Sequence, residues 1–168
     1  GMGMVYEGIQ ESPRRRVAIK TLLIGTCDER ALARFEAEID VLARLEPPSI
    51  ARIYSAGTFT QRIGDEEQEL PYYVMEYLEH GSLAGHLAEG PLGVPEAVRI
   101  ARGVLQGLVH AHGRGILHCD LKPGNVLVSV EGVLKLADFG ASFDLGQLTH
   151  ARELQRETHS TLEKPSIK

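Results

Sequence analysis

A change of pattern at Gly81 constrains what this 168-residue chain can fold into more than any other feature. Before it, short runs with strand character dominate, with a single helical stretch among them. After it, helical periodicity takes over. Val5-Tyr6-Glu7-Gly8 and Val17 to Leu23 read as strands joined by a polar turn over Gln10 to Arg16, and Ile50 to Thr60 and Pro71 to Tyr77 read as two more. Asp28 is placed to cap a helix running to about Leu45, with Leu32, Phe35, Ile39, Leu42 and Leu45 on one stripe and Pro47-Pro48 ending it. Strands first and helices second imply an α+β chain, a small sheet-rich lobe followed by a helical one, hinged near Tyr77 to Gly81.

Beyond the hinge, Ser82 can cap a short helix and Pro95 suits the first turn of a longer one. The longer helix carries a wide apolar face of Val98, Ile100, Ala101, Val104, Leu105, Leu108 and Ala111, and ends near Gly113 and Gly115. Two short β-like pieces, Asn125 to Val130 and Val133 to Ala137, flank the turn Glu131-Gly132. The acidic run Gly64 to Glu69 is expected to be a solvated loop, and Arg14-Arg15-Arg16 a solvated turn. Leu145 to Lys168, polar and without a sustained period, is expected to be loop or disorder.

Composition narrows the function classes. With 43% hydrophobic and 24% charged residues, the chain has material for a folded core. A formal net charge of -5 gives nucleic-acid binding no general electrostatic support. Cys27 and Cys119 have no paired spacing, which points to free thiols in a reducing compartment. No apolar stretch approaches the roughly 18–20 residues of a membrane span, and no secretory pattern opens the chain, so a cytoplasmic location, or the cytoplasmic part of a larger protein, is expected.

The chemistry-bearing residues fall in two groups. Strand alternation puts Ala18, Lys20 and Leu22 on one face, where a lysine among apolar neighbours calls for a negative partner. Glu38 lies on the apolar stripe of the following helix and is a natural candidate. The alternative is that the two are unrelated and each reaches solvent. The second group is tighter: His118-Cys119-Asp120-Leu121-Lys122-Pro123-Gly124-Asn125 puts acid, cation and amide in one loop, and Asp138-Phe139-Gly140 follows thirteen residues after Asn125. Oxygen donors at Asn125 and Asp138 suit Mg²⁺, a hard cation that shares its shell with phosphates. Asp120 is then available to accept a hydroxyl proton and Lys122 to neutralise moving phosphate charge. Each triplet, taken singly, is also an ordinary turn. His110 and His112 sit two apart on a predicted helix, about 200° around it, which argues against a shared zinc.

In this order and spacing the segments resemble the catalytic domain of serine/threonine protein kinases of the eukaryotic type found in bacteria. Val17-Ala18-Ile19-Lys20 is similar to the family's lysine strand, Glu38 to its helix glutamate, His118 to Asn125 to its catalytic loop and Asp138-Phe139-Gly140 to its metal-binding triplet. Gly3-Met4-Val5 resembles the end of its glycine-rich loop, and Met75-Glu76-Tyr77-Leu78 its adenine-binding hinge. The resemblance implies a two-lobed fold and transfer of the γ-phosphate of ATP, with Mg²⁺, to serine or threonine hydroxyls of a protein substrate. Implied catalytic residues are Asp120 and Lys122, and implied metal ligands Asn125 and Asp138. Gly3, Val5, Ala18, Lys20, Glu38, Met75, Glu76, Leu78 and Leu127 are the implied ATP-binding residues, with Val5, Ala18 and Leu127 around the adenine. Leu42, His118 and Phe139 are implied to stack between the lobes. Lys122, two residues after Asp120, favours the serine/threonine branch.

The resemblance covers about residues 1 to 143 and implies a small lobe over 1–78, a partial large lobe over 79–143 and an activation segment or disordered tail over 144–168. The family's first two loop glycines and its first strand have no counterpart here. No Ala-Pro-Glu follows Gly140, so the chain is expected to be cut short at both ends and inactive by itself. Cys119 stands where the family usually has an arginine, which weakens any expectation of switching by loop phosphorylation. The competing expectation is a nucleotide-binding or partner-binding module without turnover.

Overall fold

The computed structural model describes residues 3–22, 28–46, 48–64 and 66–146. Leu23, Cys27, Pro47, Asp65 and the tail from position 147 lie outside the described residues. Strand β1 (Gly3–Glu11) turns at Ser12-Pro13 into β2 (Arg14–Leu22), and helix α1 (Glu29–Arg44) follows. Strands β3 (Ile53–Ile63) and β4 (Glu66–Glu76) form a second hairpin. The four make one antiparallel sheet in the order β1-β2-β4-β3. Helices α2 (Leu83–Ala88) and α3 (Val94–His112) come next, then β5 (Ile116–Leu117), a 3₁₀ turn at Pro123–Asn125, β6 (Val126–Val128), β7 (Leu134–Leu136) and β8 (Phe143–Asp144). The chain is thus α+β.

Of the two predicted side-chain caps, Asp28 makes its bond, while Ser82 stands at the N-cap position of α2 without a side-chain capping bond. Asp28 accepts a hydrogen bond from the Ala31 N–H at 2.7 Å and starts α1. The buried side of α1 is Ala31, Phe35, Glu38, Val41 and Leu42, with Leu32 and Ile39 partly buried beside it. Glu38 therefore lies at the centre of the packed face, where a carboxylate stays ionised only if it is paired. On α3 the contact is made by glycines: a Cβ at Gly103 would come within 2.9 Å of the Leu134 side chain, and one at Gly107 within 2.8 Å of Leu136. Their lack of a side chain lets α3 lie directly on β7. Ile100, Val104 and Leu108 pack on the core beside them, while Val98 and Leu105 of the expected face stay exposed.

Two expectations are corrected. Arg14-Arg15-Arg16 is not a turn but the start of β2, paired with Glu11, Gln10 and Ile9. Partners brought up by the fold absorb the charge: Arg16 bonds Glu7 of the paired strand at 2.7 Å and Glu79 at 2.9 Å, and the Arg15 guanidinium lies 3.4 Å from the Tyr54 ring centre. The acidic run is likewise no loop from Glu66 on, because β4 begins there and Glu67 and Glu69 pair with Arg62 and Thr60. Cross-strand partners outweigh the low β-propensity of glutamate.

Candidate active site

The packing of β2, α1 and the segment after β7 brings three charged groups to one point. Lys20 Nζ lies 2.7 Å from Glu38 Oε1, 2.8 Å from Glu38 Oε2 and 2.9 Å from Asp138 Oδ1. The Tyr73 hydroxyl, projecting from β4 beside β2, donates to Glu38 Oε1 at 2.9 Å. Glu38 is 3% exposed, so its charge is held by Lys20 and Tyr73 and not by water. Burial, and then the Glu38 carboxylate, push the Tyr73 phenol far above its ordinary range, so it stays a donor. For Asp138, burial opposes ionisation, but the Lys20 ammonium outweighs it and the carboxyl lies below its usual value. Gly140 makes the approach possible: a Cβ there would stand 3.2 Å from Glu38 Oε2.

Across the cleft, His118 to Asn125 fold into a self-bonded loop. Asp120 Oδ2 accepts from Lys122 Nζ at 2.6 Å and from Asn125 Nδ2 at 3.1 Å. Asn125 Nδ2 also donates to the Asp120 carbonyl at 2.8 Å. The Lys122 ammonium, then the Asn125 amide, hold the Asp120 carboxyl below the usual carboxylate range, and Asp120 raises Lys122 in return. His118 is buried, donates from Nε2 to the Ala137 carbonyl at 3.0 Å and packs on Phe139 with ring centres 4.5 Å apart. Leu42 belongs to the same buried cluster as Phe139. Cys119 and Asp138 both adopt positive φ, 60° and 59°, a conformation that non-glycine residues keep only when their surroundings hold them.

Between the two halves lies a cavity of about 260 Å³ lined by Gly3, Val5, Lys20, Tyr73, Met75, Gly124, Asn125, Leu127, Ala137 and Asp138. A smaller one of about 130 Å³ adjoins it, walled by Glu38, Phe35, Arg34, Asp120, Asp138 and Gly140 among others. Its lining combines the apolar Val5, Met75, Leu127 and Ala137 with the charged Lys20 and Asp138, a mixture that suits an amphipathic ligand. Of the residues the resemblance singled out, Gly3, Val5, Lys20, Met75, Leu127, Asn125 and Asp138 line this cavity, with Glu38 and Asp120 on its neighbour. Three stand apart from these walls. Ala18 is packed in the core, the Glu76 side chain is taken by Lys135 at 2.6 Å, and Leu78 clusters with Ala51 and Ala137. Lys122 reaches Asp120 from the rim. Tyr73 escaped the sequence reading, although alternation on its strand puts it on the same face as Met75.

The donor set also fits a hard cation shared with phosphate. Asp138 offers a carboxylate, and Asn125 commits its amide nitrogen to Asp120, which leaves its amide oxygen outside those two bonds. Among the described residues no cluster of three or more His, Cys, Asp or Glu could hold a metal by protein ligands alone.

The chain is similar in sequence to known protein kinases. The chain is 36% identical to the probable serine/threonine-protein kinase PknB of Bifidobacterium longum over 83% of its own length and 21% of the relative's. It is 37% identical to the serine/threonine-protein kinase PknL of Mycobacterium tuberculosis over 83% of its length and 34% of the relative's. With the serine/threonine-protein kinase PrkC of Bacillus subtilis it shares 34% identity over 95% of its length and 24% of the relative's. The chain thus spans between about a fifth and a third of these relatives. Among the described residues no helix is long and apolar enough to cross a membrane. The pattern of the protein kinase domain matches residues 1–161, and with the lysine, the two loops and the cleft between them in place, this chain belongs to the protein kinase domain family.

Proposed function

We propose that this chain carries the nucleotide-binding and catalytic core of a serine/threonine protein kinase, which moves the γ-phosphate of ATP to a serine or threonine hydroxyl of a protein. The observation that carries the reading is the meeting of Lys20, Glu38 and Asp138 opposite Asp120, Lys122 and Asn125 on one cleft. Adenine would lie at the apolar end, between Val5 and Leu127 and beside Met75, with its polar edge toward the backbone of Glu76 to Leu78. Lys20, kept in place by Glu38, would hold the α- and β-phosphates. Asn125 and Asp138 would hold Mg²⁺, which when bound neutralises charge between the phosphates.

Asp120 is ionised at neutral pH and reaches the rim of the cleft, so it can orient the acceptor hydroxyl and take its proton. The hydroxyl oxygen forms the new bond to the γ-phosphorus as the bond to the β-phosphate oxygen breaks, and ADP leaves. Lys122, bonded to Asp120, is close enough to neutralise the phosphoryl group in transit. Titrating the purified chain with ATP and Mg²⁺ in a calorimeter, and following phosphate transfer to a generic protein substrate, tests the reading. Binding lost in Asp138→Asn and turnover lost in Asp120→Asn support it.

A second reading, binding without turnover by the 168 residues alone, has its own support. Val94, Val98, Leu105 and Val109 expose an apolar stripe along α3 with relative accessibilities of 77%, 53%, 58% and 72%. A stripe of this kind favours association over a stable monomer. The same assay decides: nucleotide bound without transfer selects this reading.

A further inference from the structure

Helix α1 carries Glu38 near its middle and Arg44 in its last turn. Arg44 Nη1 forms an ion pair with the Asp144 carboxylate, and Arg44 Nη2 donates to the Arg114 carbonyl at 3.3 Å. Arg114 in turn lies 3.6 Å from Glu46, just past the end of α1. Asp144 belongs to β8, four residues after Gly140, and its side chain is only 14% exposed. Its Oδ1 accepts from the Gly146 N–H at 2.8 Å. Strand β8 pairs with β5, Ile116 opposite Asp144 and Leu117 opposite Phe143, and the Leu145 N–H reaches the Gly115 carbonyl at 2.8 Å. Strand β5 runs directly into His118 and the Asp120 loop.

One carboxylate therefore joins α1 to β8 and, through β8, to the strand that leads into the Asp120 loop. Neither Arg44 nor Asp144 lines the two cavities of the candidate site. Cys119 and Asp138, the two described non-glycine residues at positive φ, each lie a few residues from the β5–β8 pair. The bonds from Lys20 and Tyr73 hold Glu38 at the middle of α1, and the Arg44–Asp144 contact is a second hold at the far end of the same helix. The Arg44 guanidinium and the Gly146 N–H also keep Asp144 ionised well below neutral pH.

We propose that Arg44 and Asp144 are positioning residues, a built-in acidic tie that fastens the last turn of α1 to β8 so that Glu38 and Asp138 are presented to Lys20 together. The negative charge belongs to the chain itself, so the tie is made without any added phosphate. Only the nucleotide arm of the test rests on the proposed kinase reading.

Amide hydrogen exchange on the full chain, alone and with ATP and Mg²⁺, tests it. In Asp144→Asn and in Arg44→Gln, exchange should accelerate by about 2- to 30-fold across residues 36–44 and 138–141, the span of couplings between packed elements. The double variant should exchange no faster than the faster single one, since both break the same tie. Arg44→Lys keeps the charge and should stay near the unaltered chain, and it serves as the second variant if a neutral one fails to fold. ATP affinity should fall in the neutral variants and recover in Arg44→Lys. Acceleration confined to residues 142–146 would overturn the proposal, as would Arg44→Lys behaving like Arg44→Gln. If ATP does not bind the unaltered chain yet exchange responds as expected, the kinase reading fails and the tie stands. If ATP binds and residues 36–44 are indifferent to Asp144→Asn, the tie fails and the kinase reading stands.

Discussion

Lys20 Nζ lies 2.7 Å from Glu38 Oε1, an ion pair that spans two elements and is nearly closed to water. A buried pair gains little over an apolar substitute, but breaking it is expensive because the remaining charge has lost its solvation. Lys20→Met should therefore destabilise the chain by about 3–5 kcal/mol, moderated by the Tyr73 hydroxyl that still serves Glu38. Lys20→Met/Glu38→Leu should recover most of that loss and still bind ATP poorly. Urea unfolding of the three variants, with ATP titration of each, separates the stability role from the ligand role.

Asp120 and Asp138 should separate by function. Asp138→Asn should weaken Mg²⁺-dependent nucleotide binding, since the amide that replaces the carboxylate carries no charge for the cation. Asp120→Asn should leave binding close to unchanged and cut turnover by about 10²–10⁴-fold, the contribution of a general base. Phosphate transfer to a generic protein substrate and ATP titration, run side by side on each variant, are the measurements. The reverse pattern would show the two roles to be exchanged.

Acid should unfold the chain through Asp138 and Asp144. Both carboxyls are held below their ordinary range, Asp138 against its burial by Lys20 and Asp144 chiefly by Arg44. A carboxyl with a lowered folded pKa stabilises the fold above the ordinary value of about 3.9, and that contribution disappears as pH falls through the lowered pKa. The urea midpoint should drop below about pH 4, and Asp138→Asn should flatten that dependence. An unchanged slope in the variant would remove Asp138 from the account.

Position 119 tests the backbone of the loop from His118 to Asn125. Cys119 is exposed and has φ near 60°, where a side chain is disfavoured by about 1–2 kcal/mol. Cys119→Val should therefore be clearly destabilising, because a β-branched residue tolerates this conformation worst. Cys119→Gly should be close to neutral, the relieved strain offsetting the added freedom of the unfolded chain. Thermal melts of both variants check the order.

The exposed stripe on α3 should govern association. Leu105 and Val109 lie on solvent and line neither cavity of the candidate site, so Leu105→Glu and Val109→Lys should reduce self-association while leaving the melt within about 0.5 kcal/mol. Sedimentation at several concentrations is the measurement. A chain that is monomeric before substitution would show that the stripe is tolerated in water.

Local chemistry accounts for the parts that were legible in the sequence. Asp28 as a cap, the α1 stripe, Pro95 at the start of α3 and the two chemistry-bearing loops depend on residues a few positions apart, so a short window holds the information. The Arg14 and Glu66 segments misled for the same reason. A window sees repelling like charges, whereas their cross-strand partners Gln10, Glu7 and Arg62 arrive only when the hairpins close.

The sequence by itself determined the α+β order, the family motifs and which side chains form the proposed site, because spacing and side-chain chemistry are written into it. Tertiary structure alone decided that Lys20 meets Glu38 and Asp138 at once, that Tyr73 joins them, that Ala18, Glu76 and Leu78 stand behind the cavity wall, and that Arg44 closes on Asp144. Those meetings depend on strand register and on how a helix is rotated against a sheet. Neither is set by neighbours in sequence, since both emerge only when every buried face is packed at once.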